Sequence, residues 1–243
     1  MIGELNKNMK NPRVVIVAGP PASGKTSVMI HSMKYIQRLG IKTAVVKIDC
    51  LATEDDERYS AVDVPVVVGL SEDICPDHYF VVNLEEMVEW ASAKGAELLI
   101  VETAGLCHRC SPAIDKALAV CIIDCHSSIK IPEKVGPVLT TADLVIIVKG
   151  DLISQAEREV FQSRIRRINP DADIIEVNGL TGAGSEHAAR LILSKADGMF
   201  APESRLRHPM PTAVCSYCMG EMRVGSVYQQ GAVYKIDFQR REG

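Results

Sequence analysis

Apolar residues gather along this chain in short, mostly β-branched runs at 14–18, 44–48, 64–68, 98–101, 144–148 and 174–177. None of these runs alternates with polar residues, so each reads as a strand covered on both faces, as in a parallel sheet. Between several of them the apolar spacing turns helical. Residues 25–39 carry Val28, Met29, Met33, Ile36 and Leu39 near a helical period; 85–94 and 156–168 behave alike, and Pro170 stops the last. Residues 117–123 read as a further helix, with Cys121 and Cys125 four apart on one face. Strands alternating with helices predict an α/β fold with a mainly parallel, doubly wound sheet.

The end of the chain departs from this pattern. Pro202, Pro209 and Pro211 punctuate a basic stretch, Arg205-Leu-Arg-His208. Cys215-Ser-Tyr-Cys218 follows, and Gln229-Gln-Gly231 separates two short strand-like runs as a hairpin would. We therefore expect one large domain over 1–200 and a small Cys-x-x-Cys appendage over 201–243. A net charge of -4 gives nucleic acid no electrostatic reason to bind. No apolar run approaches the roughly 20 residues that span a bilayer. The polar start, residues 1–13, lacks a signal-peptide core, so a cytoplasmic protein without membrane insertion is expected.

The run at 14–18 leads straight into Gly19-Pro-Pro-Ala-Ser-Gly-Lys-Thr26, and a helix follows. This is the phosphate loop of P-loop NTPases in its strand–loop–helix setting. Its glycines let backbone N–H groups wrap phosphates, and the helix N-terminus adds favourable partial charge. Gly19, Pro21, Ala22, Ser23, Gly24 and Ser27 are expected to line the nucleotide. Lys25 should reach the β- and γ-phosphates, and Thr26 should ligate magnesium. Magnesium asks for further hard oxygen ligands. Asp49 and Glu102 each follow a predicted strand, at the sheet edge where such folds bind ligands. With Lys25 and Thr26 they form the expected catalytic set.

Taken in order, these and later motifs resemble the nickel-inserting maturation GTPases of hydrogenase and urease (HypB and UreG), in the dimerising SIMIBI class of P-loop proteins. The phosphate loop looks like their Gly-Pro-Val-Gly-Ser-Gly-Lys-Thr, and Glu102-Thr-Ala-Gly105 sits where they have Glu-Ser/Asn-x-Gly. Asp56-Glu-Arg58 followed by Val64-Pro65 resembles the hydrogenase protein's Asp-Ala-Glu-Arg segment. Cys75-Pro-Asp-His78 falls where the family has its metal-binding Cys-Pro-His or Cys-His. Leu180-Thr-Gly-Ala-Gly184 is similar to the late Ser-Ala-x-Thr-Gly-x-Gly loop that touches the base. The resemblance spans roughly residues 13–195. It implies a GTP-hydrolysing homodimer that uses magnesium, carries nickel or zinc, and meets a client metalloenzyme or its maturation factor. It also implies base contacts from Lys149, Asp151, Asn178, Gly179 and Leu180. One departure matters: Val148-Lys149-Gly150-Asp151 stands where the family has Asn-Lys-x-Asp. Asp151 keeps its acceptors for guanine N1 and N2, but without the asparagine GTP and ATP both stay open.

Eight cysteines in a chain with no sign of secretion point to metal or redox chemistry rather than a disulfide framework. Cys75 and His78 could form one end of a soft-metal site, completed by a second copy across a two-fold axis. Cys107-His-Arg-Cys110 directly follows the Glu102 motif, a region that responds to the γ-phosphate in P-loop proteins, so ligands there would couple nucleotide to metal. Cys215 and Cys218 resemble half of a four-thiolate knuckle. Cys121 and Cys125 serve equally as further ligands or as core cysteines. Three functions fit: a metallochaperone GTPase, a nucleotide-driven redox protein with an iron–sulfur cluster, and a small-molecule kinase.

Overall fold

The structure is a computed structural model that describes residues 11–105, 109–197, 203–209, 219–231 and 234–238. Seven strands form one sheet: β1 (Arg13–Ala18), β2 (Thr43–Asp49), β3 (Val66–Leu70), β4 (Leu98–Glu102), β5 (Leu118–Asp124), β6 (Leu144–Val148) and β7 (Asp173–Val177). Their order across the sheet is β3-β2-β4-β1-β5-β6-β7, and every pairing is parallel. The helices are α1 (Lys25–Arg38), α2 (Asp55–Ser60), α3 (Pro76–Ala93), α4 (Ile131–Val135), α5 (Pro137–Thr140), α6 (Gln155–Ile168) and α7 (Ser185–Lys195).

Side chains of successive strand residues point to opposite faces, so each buried strand feeds two cores. In β1, Val15 and Val17 pack with Met29, Met33 and Ile36 of α1 and Ile192 of α7. Val14 and Ile16 pack instead with Phe80, Leu84 and Met87 of α3. In β5, Val120 and Ile122 join the α1 layer, whereas Cys121 and Ile123 join Phe161 and Ile165 of α6.

This arrangement corrects the reading of residues 117–123 as a helix. The segment is β5, buried along its whole length between β1 and β6. Cys121 and Cys125 are both core residues; burial pushes their thiols up to about 12 and about 11. Helix α3 begins well before the expected residue 85, at Pro76, because it is buried on nearly every side over its first turns and shows no amphipathic period there. Strand β3 lies later than the apolar run at 64–68.

The described parts of the C-terminal region do not pair as a hairpin; residues Ser226–Tyr228 form a short 3-10 turn instead. Leu206, Val224 and Ile236 are buried in the α3-side core. Arg207 donates to the carbonyls of Ile114 and Ala117 at 2.8 Å and of Thr141 at 2.9 Å, and to Asp143 Oδ1 at 2.8 Å. It therefore clamps the stretch leading into β5 to the turn before β6. Among the described residues, no helix is long and apolar enough to cross a membrane.

Candidate functional site

β1 ends in the phosphate loop at the centre of the sheet's C-terminal edge. Two glycines make the loop possible. A Cβ on Gly19 would lie 2.0 Å from the Ile122 carbonyl oxygen, and one on Gly105 would lie 1.7 Å from the Gly19 carbonyl oxygen. Gly105 ends the Glu102 motif, so that motif packs directly on the phosphate loop. Lys25 folds back over the loop, with Nζ 3.1 Å from the Gly19 carbonyl and 3.0 Å from that of Pro20. Burial lowers the Lys25 pKa. Ser23 Oγ is buried with no hydrogen-bond partner among the described residues, which suits a phosphate oxygen as its partner.

Beside the loop lies a buried charged cluster. Glu102, at the end of β4, is fully buried. Its Oε1 is 2.8 Å from Thr26 Oγ1 and 2.6 Å from Lys47 Nζ, and its Oε2 accepts from the Tyr59 hydroxyl. Strand register produces the Lys47 contact: Lys47 of β2 is the cross-strand neighbour of Glu102 in β4. Asp55, which opens α2, places Oδ2 3.0 Å from Thr26 Oγ1 and 2.8 Å from Lys47 Nζ. Asp49 Oδ2 is 4.0 Å from Lys47 Nζ. Arg58 donates to Asp55 and to Ser27 Oγ, each at 2.8 Å. Burial works to lower the Lys47 pKa, but Glu102 and Asp55 outweigh it and hold the ammonium above its ordinary range. Burial and the Glu102 charge push the Tyr59 hydroxyl well up.

Thr26, Asp49 and Glu102, the residues expected to hold magnesium, thus converge on one cluster. Asp55, Lys47 and Tyr59 were not anticipated. The donors are a hydroxyl and three carboxylates, the hard-oxygen set that magnesium prefers.

On the other flank, β5, β6 and β7 bring the expected base contacts to the same edge. Lys149 has a left-handed backbone, φ 61°, and its Nζ lies 2.6 Å from Asp124 Oδ2 and 3.3 Å from the Ala22 carbonyl. Asp124, the last residue of β5, therefore ties Lys149 down beside the phosphate loop from an adjacent strand. Asp124 also accepts from His126 N at 2.7 Å and Ser127 Oγ at 2.8 Å. Asp151 and Leu180 are exposed. Asn178 Oδ1 accepts from the backbone N–H groups of Leu180 and Thr181 at 2.9 Å, shaping that loop, and Gly179 lies against Ser27 and Val28.

A second cluster sits at the start of α3. Cys75 precedes the helix, Pro76 opens it, and His78 lies on the first turn. Cys110 comes from the stretch that follows Gly105. One ligand atom from each of Cys75, His78 and Cys110 lies within 4.8 Å of the others. His78 and Cys110 are buried and Cys75 is half-buried; burial lowers the His78 pKa, favouring the neutral imidazole that binds metal. Burial, then the neighbouring Cys75, push Asp77 up to about 8. A third ligand for Cys75 and His78 is thus supplied from within one chain. Cys107, Cys215 and Cys218 lie outside the described residues. Arg164 and Arg167 on α6 both pair with Glu133, a surface ion-pair group away from the phosphate loop.

Comparison with known proteins places these features in context. Residues 13–176 match the family described as CobW/HypB/UreG, nucleotide-binding domain. The chain is 51% identical over 232 residues to an uncharacterized protein, MJ0120, of Methanocaldococcus jannaschii, covering 95% of this chain and 99% of that one. It is 28% identical over 200 residues to the urease accessory protein UreG of Edwardsiella ictaluri, covering 76% and 95%. Its fold is similar to that of HypB from Helicobacter pylori in complex with nickel, with a TM-score of 0.61 at 18% identity, covering 76% of this chain and 87% of that one.

Proposed function

Because this chain belongs to the CobW/HypB/UreG family of P-loop nucleotide-binding proteins, we propose that it is a nucleotide-driven metallochaperone, hydrolysing GTP and delivering a transition-metal ion to a maturing metalloenzyme. The observation that carries this reading is the convergence of Cys75, His78 and Cys110. Two sulfurs and one imidazole suit a borderline ion such as nickel or zinc. Three protein ligands leave a coordination position open, as an ion awaiting transfer requires. The mixed set favours a single ion over an iron–sulfur cluster, whose ligands are mainly thiolates. A homodimer, as the family resemblance implies, would carry two such sets.

The nucleotide side follows from the loop and its flanks. Lys25 swings from the Gly19 and Pro20 carbonyls to the phosphates, where its charge is retained by contact with anionic oxygens. Thr26, Asp49, Asp55 and Glu102 would hold magnesium, which when bound neutralises charge on the phosphates. Lys149, pinned by Asp124, packs over the base, and Asp151 accepts from guanine N1 and N2. Asp124 holds Lys149 in place of the missing asparagine, and the preference for GTP over ATP rests on the Asp151 acceptors, which match guanine N1 and N2 donors that adenine lacks. Gly105 and Cys110 lie on one stretch after Glu102, so a nucleotide that repositions Gly105 also acts on the metal ligands.

The test is anaerobic purification followed by full metal analysis of nucleotide-free protein and of protein bound to a non-hydrolysable GTP analogue. One nickel or zinc per chain is expected in one state, released or exchanged faster in the other, with Cys75→Ser abolishing retention. If neither state holds a stoichiometric transition metal, the chaperone reading fails. Faster phosphate transfer to a metabolite than to water would instead favour a kinase.

A further inference from the structure

Lys47 is an unusual residue to find in the second strand of a phosphate-binding sheet. Its side chain is only 5% exposed, and its ammonium reaches the same two oxygens that Thr26 reaches. Lys47 Nζ lies 2.8 Å from Asp55 Oδ2 and 2.6 Å from Glu102 Oε1. Thr26 Oγ1 lies 3.0 Å and 2.8 Å from those same atoms. The threonine and the lysine thus bridge one pair of carboxylate oxygens from either side, and Asp49 stands 4.0 Å from the ammonium on its outer flank. Every oxygen ligand assigned to magnesium is therefore grouped around a positive charge that belongs to the chain.

Without that charge the cluster would hold two neighbouring carboxylates, one of them fully buried, a costly arrangement. With it, a divalent ion approaching Thr26, Asp55 and Glu102 meets a like charge within hydrogen-bonding distance of its own ligands. The two cations compete for the same oxygens.

We propose that Lys47 is a built-in counter-cation that holds the magnesium ligands together in the nucleotide-free chain and is displaced from Asp55 and Glu102 when magnesium enters with the nucleotide. Divalent-ion binding is then conditional on the triphosphate, whose negative charge offsets the crowding of two cations. The displaced ammonium stays tethered beside the phosphates as an additional positive group. This inference rests on the nucleotide-binding reading above.

The test uses manganese(II) as a paramagnetic probe of the full-length, nucleotide-free protein, with binding followed by electron paramagnetic resonance. Wild type should bind the ion weakly, and Lys47→Gln at least tenfold more tightly. Adding Asp55→Asn to Lys47→Gln should remove the gain, which places the ion in this cluster. Equal manganese affinity in wild type and Lys47→Gln would overturn the proposal. If Lys47→Gln does not fold, nitrogen-15 NMR of the lysine ammonium groups in wild type decides. A protected ammonium signal should persist with a non-hydrolysable GTP analogue in EDTA and shift when magnesium is added; a signal indifferent to magnesium would overturn the proposal. A wild-type chain that binds no nucleotide would sink the nucleotide reading, while the manganese comparison, which contains none, would still report on Lys47.

Discussion

The charged cluster at Glu102 and the thiol cluster at Cys110 sit on one stretch of chain, yet they prepare for a metal in opposite ways. At Glu102 the ligands are carboxylates and a hydroxyl, gathered around the ammonium of Lys47. At Cys110 the candidate ligands are two sulfurs and an imidazole whose pKa burial lowers. The first set is charged, hard and already satisfied; the second is soft and largely uncharged until an ion arrives. On the proposed function, ligand chemistry alone would sort magnesium from a transition ion within one subunit. What joins the two regions is Gly105, pressed against the carbonyl of Gly19.

That junction gives the most severe way to break the comparison. Gly105→Ala would put a carbon 1.7 Å from backbone in a left-handed conformation, so the loop or the motif must move. We expect a loss on the order of 3 kcal/mol or more in stability and at least a hundredfold in nucleotide affinity, read by thermal melting and calorimetry. Cys110→Ser should separate the regions: nickel or zinc affinity falls by roughly a hundredfold, as expected when one of three ligands is lost. Nucleotide affinity in the same variant should stay within about twofold; a comparable loss of both would show that the clusters are not separable. Arg207→Met removes a clamp on the stretch that leads from Cys110 into β5. Orphaned carbonyls should cost about 2 kcal/mol in chemical denaturation, with nucleotide binding preserved. The smallest effect is expected from Asp124→Ala, which frees Lys149: about 1 kcal/mol in GTP affinity and less in ATP affinity.

Much of this was legible from residue order. The phosphate loop, Thr26, Glu102 and the pairing of Cys75 with His78 announce themselves because each lies in a local motif whose chemistry needs those residues at that spacing. Lys47, Asp55 and Tyr59 do not, because they act only once β2, α2 and β4 are side by side. Lys47 is set opposite Glu102 by strand register, which no local spacing encodes. The union of Cys110 with Cys75 and His78 is long-range in the same sense. Strand β5 was misread for a different reason: a short apolar run buried on both faces has no period by which to tell strand from helix. Its Val120, Ile122 and Ile123 were the available signal, since β-branched residues favour strands. Asp124 went unassigned because its role became visible only when that segment was a strand ending beside Lys149.

The strand order has a consequence in time. β1 is made first, but its neighbours are β4 and β5, so it is seated only after the chain has been synthesised past residue 124. Until then β1 is paired on the β4 side alone, and Gly19 lacks the Ile122 carbonyl against which it packs. Such non-local pairing is slow and leaves apolar strands exposed while it waits. A nascent chain halted before β5 would therefore carry the whole phosphate loop and still not capture a nucleotide.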